Sequence, residues 1–171
     1  MRTCINNYAA KDVAPFFIKK GVSPLKLQKL LYYSQVWTFV KSGNNLFTDD
    51  IKGWIYGPVV PDIWYRFRFM RRSDTIPQNN HFYNLDSDLD PITYNFLNDV
   101  WNSYGHLSGA DLVDLTHKEL PWNLSRLGLL SNQPSNNSVL IDYKTTVNYK
   151  LTISGEIPLA DNPKSIGQFQ S

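Results

Sequence analysis

The sequence predicts a mainly α-helical, compact single domain with a short β-hairpin or small sheet as a minor component. Two observations carry this. Ser23-Pro24 and Asp90-Pro91 each place a capping residue before a proline that can occupy the first helical position, and each opens an apolar stripe at helical spacing. The remaining β-type signal is confined to short stretches, near residues 46–54 and 139–153. A chain of 171 residues suits one domain, and at this size a single core can form. Aromatic residues at 14% and charged residues at 19% fit a large aromatic core and argue against disorder.

The elements follow in chain order. Ala10, Val13, Ala14, Phe17 and Ile18 are helically spaced over residues 8–20, with Gly21 as a stop. Pro15 conflicts with that helix, so it either starts near Asp12 or bends. The clearest helix runs over 23–42 and ends at Gly43, with Leu27, Leu30, Leu31, Ser34 and Trp37 on one face. In "IKGWIYGPVVPDIWYRF", residues 51–67, Pro58 and Pro61 rule out a regular central strand. Pro61 can open a helix with Ile63, Trp64 and Phe67 inward. Residues 73–90 are polar and irregular. A stripe of Ile92, Phe96, Leu97, Val100, Trp101 and Tyr104 precedes Gly105. Ser108 and Asp111 have capping-box spacing ahead of Leu112, Val113 and Leu115. Pro121-Trp122 starts a short helix toward Leu130. Residues 131–138 form a loop, 139–153 suggest one or two strands, and the last residues form a tail. Residues 131–171 are expected to belong to the same domain as 1–130.

Most chemistries lack a motif. The single cysteine, Cys4, permits no intrachain disulfide, which fits a reducing cytoplasm, and it has no marked positive neighbourhood. His81, His106 and His117 have no metal-ligand spacing, so no metal site is expected. There is no phosphate-binding glycine loop, no nucleophile elbow and no stretch long enough to span a membrane. Asp49-Asp50 and Asp86, Asp88 and Asp90 lie in loop-like segments suited to capping and solubility. The strongest surface signal is "YRFRFMRR", with Arg66, Arg68, Arg71 and Arg72 interleaved with aromatics. Such a face can stack on nucleic acid, meet an acidic protein surface, or cover apolar area with arginine stems. A net charge of only +2 argues against nucleic acid. The apolar segment around Trp54, Tyr56, Val59 and Val60 is either a core corner or a rigid loop presented to a partner.

Three blocks, in order, resemble the Panacea antitoxin domain, also called SocA-like or GepA-like and associated with phages. They are "SPLKLQKLLYYSQVWTFVKSGNNLF" (23–47), "DDIKGWIYGPVVPDIWYRF" (49–67) and "LSGADLVDLTHKELPW" (107–122). "AKDVAPFFIKKG" near the N-terminus is similar as well, and Gly53 stands where the family usually has alanine. The resemblance covers roughly residues 5–130 and implies a mostly helical, non-enzymatic protein without a cofactor. It implies neutralisation of a cognate toxin by direct contact, in the cytoplasm, in some members as an adaptor to a protease. Leu27, Lys29, Leu30, Tyr32 and Gln35 match the first motif, Tyr56, Gly57, Pro58 and Val59 the second, and Thr116, His117 and Trp122 the third. Most of these are read as structural. Contact with a partner is expected from Trp54, Tyr56, Val59, Val60 and the four arginines. Two rival readings are a phage or prophage inhibitor of a host defence or replication protein, and a hydrolase or nucleotide enzyme whose site has no known motif.

Overall fold

The computed structural model describes residues 8–78 and 88–147. Cys4, His81, Asp86 and the tail after 147 lie outside the described residues. The described elements are α1 (Ala10–Ile18), α2 (Pro24–Ser42), β1 (Lys52–Trp54), β2 (Gly57–Val59), α3 (Pro61–Phe67), α4 (Pro91–Tyr104), α5 (Gly109–Thr116) and α6 (Leu120–Ser125). The architecture is mainly α with one small antiparallel hairpin.

The helix ends follow local chemistry. Ser23 Oγ accepts from the Lys26 amide at 3.1 Å, Pro24 takes the first helical position, and Gly43 closes α2 with φ +72°. Asp90 Oδ1 accepts from the Thr93 amide at 2.9 Å ahead of Pro91. The Ser108–Asp111 capping box is complete: Ser108 Oγ accepts from the Asp111 amide at 3.1 Å, and the Ser108 amide donates to Asp111 Oδ2 at 3.0 Å. We expect Ser108→Ala to lower stability by about 1 kcal/mol in urea unfolding, with no change in fold by circular dichroism. The conflict at Pro15 resolves toward a proline inside the helix. Asp12 accepts from the Ala9 amide at 2.9 Å, so α1 starts at Ala10. Pro15 then has no amide for the Lys11 carbonyl, and Lys11 is exposed, where water can serve it.

Helix α2 is the axis of the fold. It packs against α1, α3, α4, α5 and β2. A single inward stripe understates it, because Tyr32, Tyr33, Val36 and Val40 are buried beside Leu27, Leu30, Leu31 and Trp37. A helix buried on nearly all sides must place its polar side chains on internal partners. Gln35 does so with three bonds: Oε1 accepts from the Leu46 and Phe47 amides at 2.9 and 3.1 Å, and Nε2 donates to the Phe47 carbonyl at 2.9 Å. It anchors the turn after α2 as a neighbouring strand would.

The hairpin pairs Lys52 with Val59, Gly53 with Pro58 and Trp54 with Gly57. Pro58 is tolerated because the sheet has only two strands and its missing amide breaks no central ladder. Two sequence expectations change. Ile92 stands 72% exposed at the start of α4, so the inward face there is carried by Leu97, Val100 and Tyr104. An isolated bridge pairs Lys52 with Ser138, at the end of the 131–138 loop, and the β-branched run that follows makes a turn in which the Thr145 and Thr146 hydroxyls donate to the Asp142 carbonyl at 3.2 and 2.6 Å. Threonines can close turns as readily as they line strands. Residues 148–153 of that run lie outside the described residues.

Candidate functional site

A groove of about 650 Å³ opens along the hairpin. Its apolar walls come from Leu25 on α2, Trp54, Ile55 and Val59 on the hairpin, and Trp64 and Phe67 on α3. Tyr56 stands at the rim, 69% exposed. Arg71 and Arg72 line it beyond α3, and Pro134 and Ser135 close another side. Trp54 and Trp64 meet edge to face with ring centres 5.3 Å apart, an arrangement that aromatic pairs prefer.

The hairpin is fixed from beneath by α2. Gln28 grips one residue twice: its Oε1 accepts from the Val60 amide at 2.8 Å, and its Nε2 faces the Val60 carbonyl at 3.4 Å. Lys29, fully buried, donates to the Pro58 carbonyl at 3.0 Å. Gly57 makes this approach possible. Its φ is +99°, and a Cβ there would lie 2.7 Å from Lys29 Cε and 2.8 Å from Thr116 Oγ1. The positive φ also closes the two-residue turn, since Ile55 and Tyr56 keep negative φ. Thr116 is tied down in turn, its hydroxyl donating to the Val113 carbonyl at 2.8 Å.

The opposite edge of the hairpin is held by α6 and the following loop. Trp122 Nε1 donates to the Trp54 carbonyl at 2.9 Å, and His117 stacks on Trp122 with ring centres 3.9 Å apart. Arg126 is buried without a carboxylate partner among the described residues. It donates instead to the carbonyls of Gly53 at 2.9 Å, Leu130 at 3.1 Å and Gln133 at 2.7 Å. The Gly53 amide donates to the Asn137 carbonyl at 2.9 Å. A Cβ on Gly53 would lie 2.0 Å from Ser125 Oγ, so Ser125 occupies the space an alanine would need.

A buried polar layer joins α2, α4 and the start of α6. The Tyr33 hydroxyl donates to Glu119 Oε1, Tyr33 stacks on Tyr104 at 4.2 Å, and Trp37 Nε1 donates to the Tyr104 hydroxyl at 2.7 Å. Glu119 Oε2 and the Tyr32 hydroxyl have no hydrogen-bond partner among the described residues. Burial raises the Glu119 carboxyl to about 8, against the lowering effect of the Tyr33 hydroxyl bonded to it. Burial lowers Lys29 to about 7. His117 is lowered by burial and then by Lys29. The interior thus favours a neutral acid in one place and a weakly basic amine in another. Tyr32, Tyr33 and Tyr104 are all raised well above their usual range, chiefly by burial and then by the Glu119 charge.

The residues singled out in the sequence fall into separate places. Trp54, Tyr56, Val59, Arg71 and Arg72 meet at the groove. Val60 is 1% exposed and packs in the core. Arg66 leaves the groove to pair with Asp62 at 3.3 Å, and Arg68 lies over the Tyr65 ring at 5.6 Å. Leu27, Leu30 and Tyr32 are core residues of α2. Asp49 and Asp50 serve the scaffold: Asp49 accepts from the Ala10 amide at 2.6 Å, and Asp50 pairs with Lys52 at 2.6 Å. As parts of the site, sequence reasoning missed Gln28, Trp64, Glu119 and Arg126. The available signal was polar residues set among leucines and aromatics, as in "KLQKLLYYSQVW". Among the described residues no group of three His, Cys, Asp or Glu side chains could hold a metal, and no helix is long and apolar enough to cross a membrane.

The described residues form a helical domain built around one central helix, with a hairpin held from two sides and an apolar groove edged by arginine. The family model for the antitoxin SocA-like, Panacea domain matches residues 27–123, more than half of the chain and most of the groove. The chain therefore belongs to the SocA-like antitoxin family. No curated protein and no solved structure matches it.

Proposed function

We propose that this protein neutralises a toxin by direct contact, and that the groove along the hairpin is where the toxin docks. The observation that supports this reading is the groove itself. Its walls are Trp, Val and Phe, its rim carries an exposed Tyr56, and the backbone beneath is held by Gln28, Lys29 and Arg126. Aromatic and arginine side chains on a fixed backbone are the usual anchors of protein contacts, because they bury large area at little loss of freedom. The protein acts here as a binder rather than an enzyme.

The test is co-expression with the product of the adjacent gene, read by growth and by co-purification. The wild-type chain is expected to restore growth and to retain the toxin with purified components alone, without a protease. Tyr56→Ala is expected to weaken retention about tenfold, the effect of losing one good interface anchor. Tyr56 is exposed, so the variant keeps its fold. Retention unchanged by Tyr56→Ala and by Trp64→Ala would place the contact elsewhere.

A further inference from the structure

We propose that the groove takes a segment of the partner protein in which an apolar or aromatic side chain is flanked by carboxylates. The inference rests on the docking reading above and narrows the chemistry of what docks. Three observations carry it.

The first is charge. Arg71 and Arg72 line the groove, and no Asp or Glu is among its lining residues. The ion pairs among the described residues are Lys52–Asp50 and Arg66–Asp62, so neither groove arginine has an internal carboxylate there. Among the described residues, the Arg71 guanidinium makes one long bond, to the Arg68 carbonyl at 3.4 Å. Both arginines are exposed at the mouth of an apolar cleft, where an incoming carboxylate is partly shielded from water and salt.

The second is shape. A volume of about 650 Å³ is that of a pocket for a few side chains, and the paired tryptophans give it a wall for an apolar anchor. The third is how the backbone is used. Strand addition needs free edge groups on the hairpin. Here the Pro58 carbonyl is taken by Lys29, the Val60 amide by Gln28, the Gly53 amide and carbonyl by Asn137 and Arg126, and the Trp54 carbonyl by Trp122. A partner segment is therefore read through its side chains, and side-chain chemistry decides its fit.

The experiment uses the full chain and three short synthetic peptides of one design. In the first, Glu alternates with Leu and Trp; in the second and third, Gln or Lys replaces every Glu. Indole N–H signals of Trp54 and Trp64 are followed by NMR, and affinity by fluorescence anisotropy. The acidic peptide is expected to shift both indole signals. Replacing Glu by Gln, or making the Arg71→Glu/Arg72→Glu variant, is expected to weaken binding about tenfold or more. The Lys peptide is expected to recover binding in that charge-reversed variant. Equal affinity for the acidic and Gln peptides, or an unchanged affinity in the charge-reversed variant, overturns the proposal. So does tighter binding of a single-stranded oligothymidylate than of the acidic peptide, which would assign the face to nucleic acid. The toxin itself separates this inference from the one beneath it. Retention lost in Tyr56→Ala but kept in Arg71→Glu/Arg72→Glu overturns the acidic segment alone. Retention kept in both overturns the docking site and the acidic segment together.

Discussion

Gly57→Ala is expected to destabilise the protein by about 3 kcal/mol or more. Two costs coincide there. An alanine held at φ +99° carries the left-handed penalty of roughly 1–2 kcal/mol. Its methyl would also press on Lys29 Cε at 2.7 Å and Thr116 Oγ1 at 2.8 Å, and overpacking costs about 1–3 kcal/mol. Neither neighbour can easily yield. Lys29 is held by the Pro58 carbonyl, and Thr116 by the Val113 carbonyl. Gly128 supplies the comparison: it has φ +81°, and nothing lies within 4 Å of the position a methyl would take. Gly128→Ala should therefore show the backbone cost alone, about 1–2 kcal/mol. Urea unfolding of both variants checks the difference. Equal losses would mean that the approach of α2 and α5 to the hairpin contributes nothing at Gly57.

This position explains why the fold was easier to read than the site. Ser23, Asp90 and Ser108 announce their helices because a cap and its helix are neighbours in sequence. Gly57 announces a special backbone angle, but its second reason, the approach of Lys29 and Thr116, joins residues distant in the chain. The same holds for polar residues inside. Gln28, Lys29 and Gln35 look like the outer face of an amphipathic helix, yet each turns inward to serve the backbone of a loop. Once α2 is surrounded by other elements, a stripe of apolar residues no longer marks which side is buried. Glu119 was silent for a related reason. A lone carboxylate near a proline reads as a helix start, and only the packed tyrosines make it a buried acid. The arginine run shows the converse. One local cluster reads as one face, but the turn after α3 sends Arg71 and Arg72 to the groove while Arg66 and Arg68 pair with their own helix neighbourhood.

Stability is expected to pass through a shallow minimum between about pH 7 and 8, set by Glu119 and Lys29. Unfolded, Glu119 releases its proton near 4.5, and folded it holds it to about 8. Across that window the folded chain binds the extra proton, so stability falls as pH rises. Lys29 behaves oppositely. Unfolded it keeps its proton to 10.5, and folded it gives it up at about 7, so stability rises with pH across that window. Each fully developed slope is about 1.4 kcal/mol per pH unit. The slopes oppose each other where the windows overlap. His117, lowered by burial and by Lys29, opposes Glu119 below its ordinary value of 6.5. Above pH 10 the raised tyrosines reverse the alkaline gain, because the unfolded chain ionises first. Differences from single variants isolate the two groups. The stability of wild type relative to Glu119→Gln should fall by about 3 kcal/mol from pH 5 to pH 7.5. Relative to Lys29→Met it should rise by about 2 kcal/mol from pH 7.5 to pH 9.5. Urea unfolding at the three pH values reads both. A flat difference for Glu119→Gln would mean that the carboxyl is ionised in the folded chain, and a flat one for Lys29→Met that the amine stays charged beneath the groove. The second result bears directly on binding. A neutral Lys29 leaves Arg71 and Arg72 as the charges a partner meets, whereas a charged one would add a third from below.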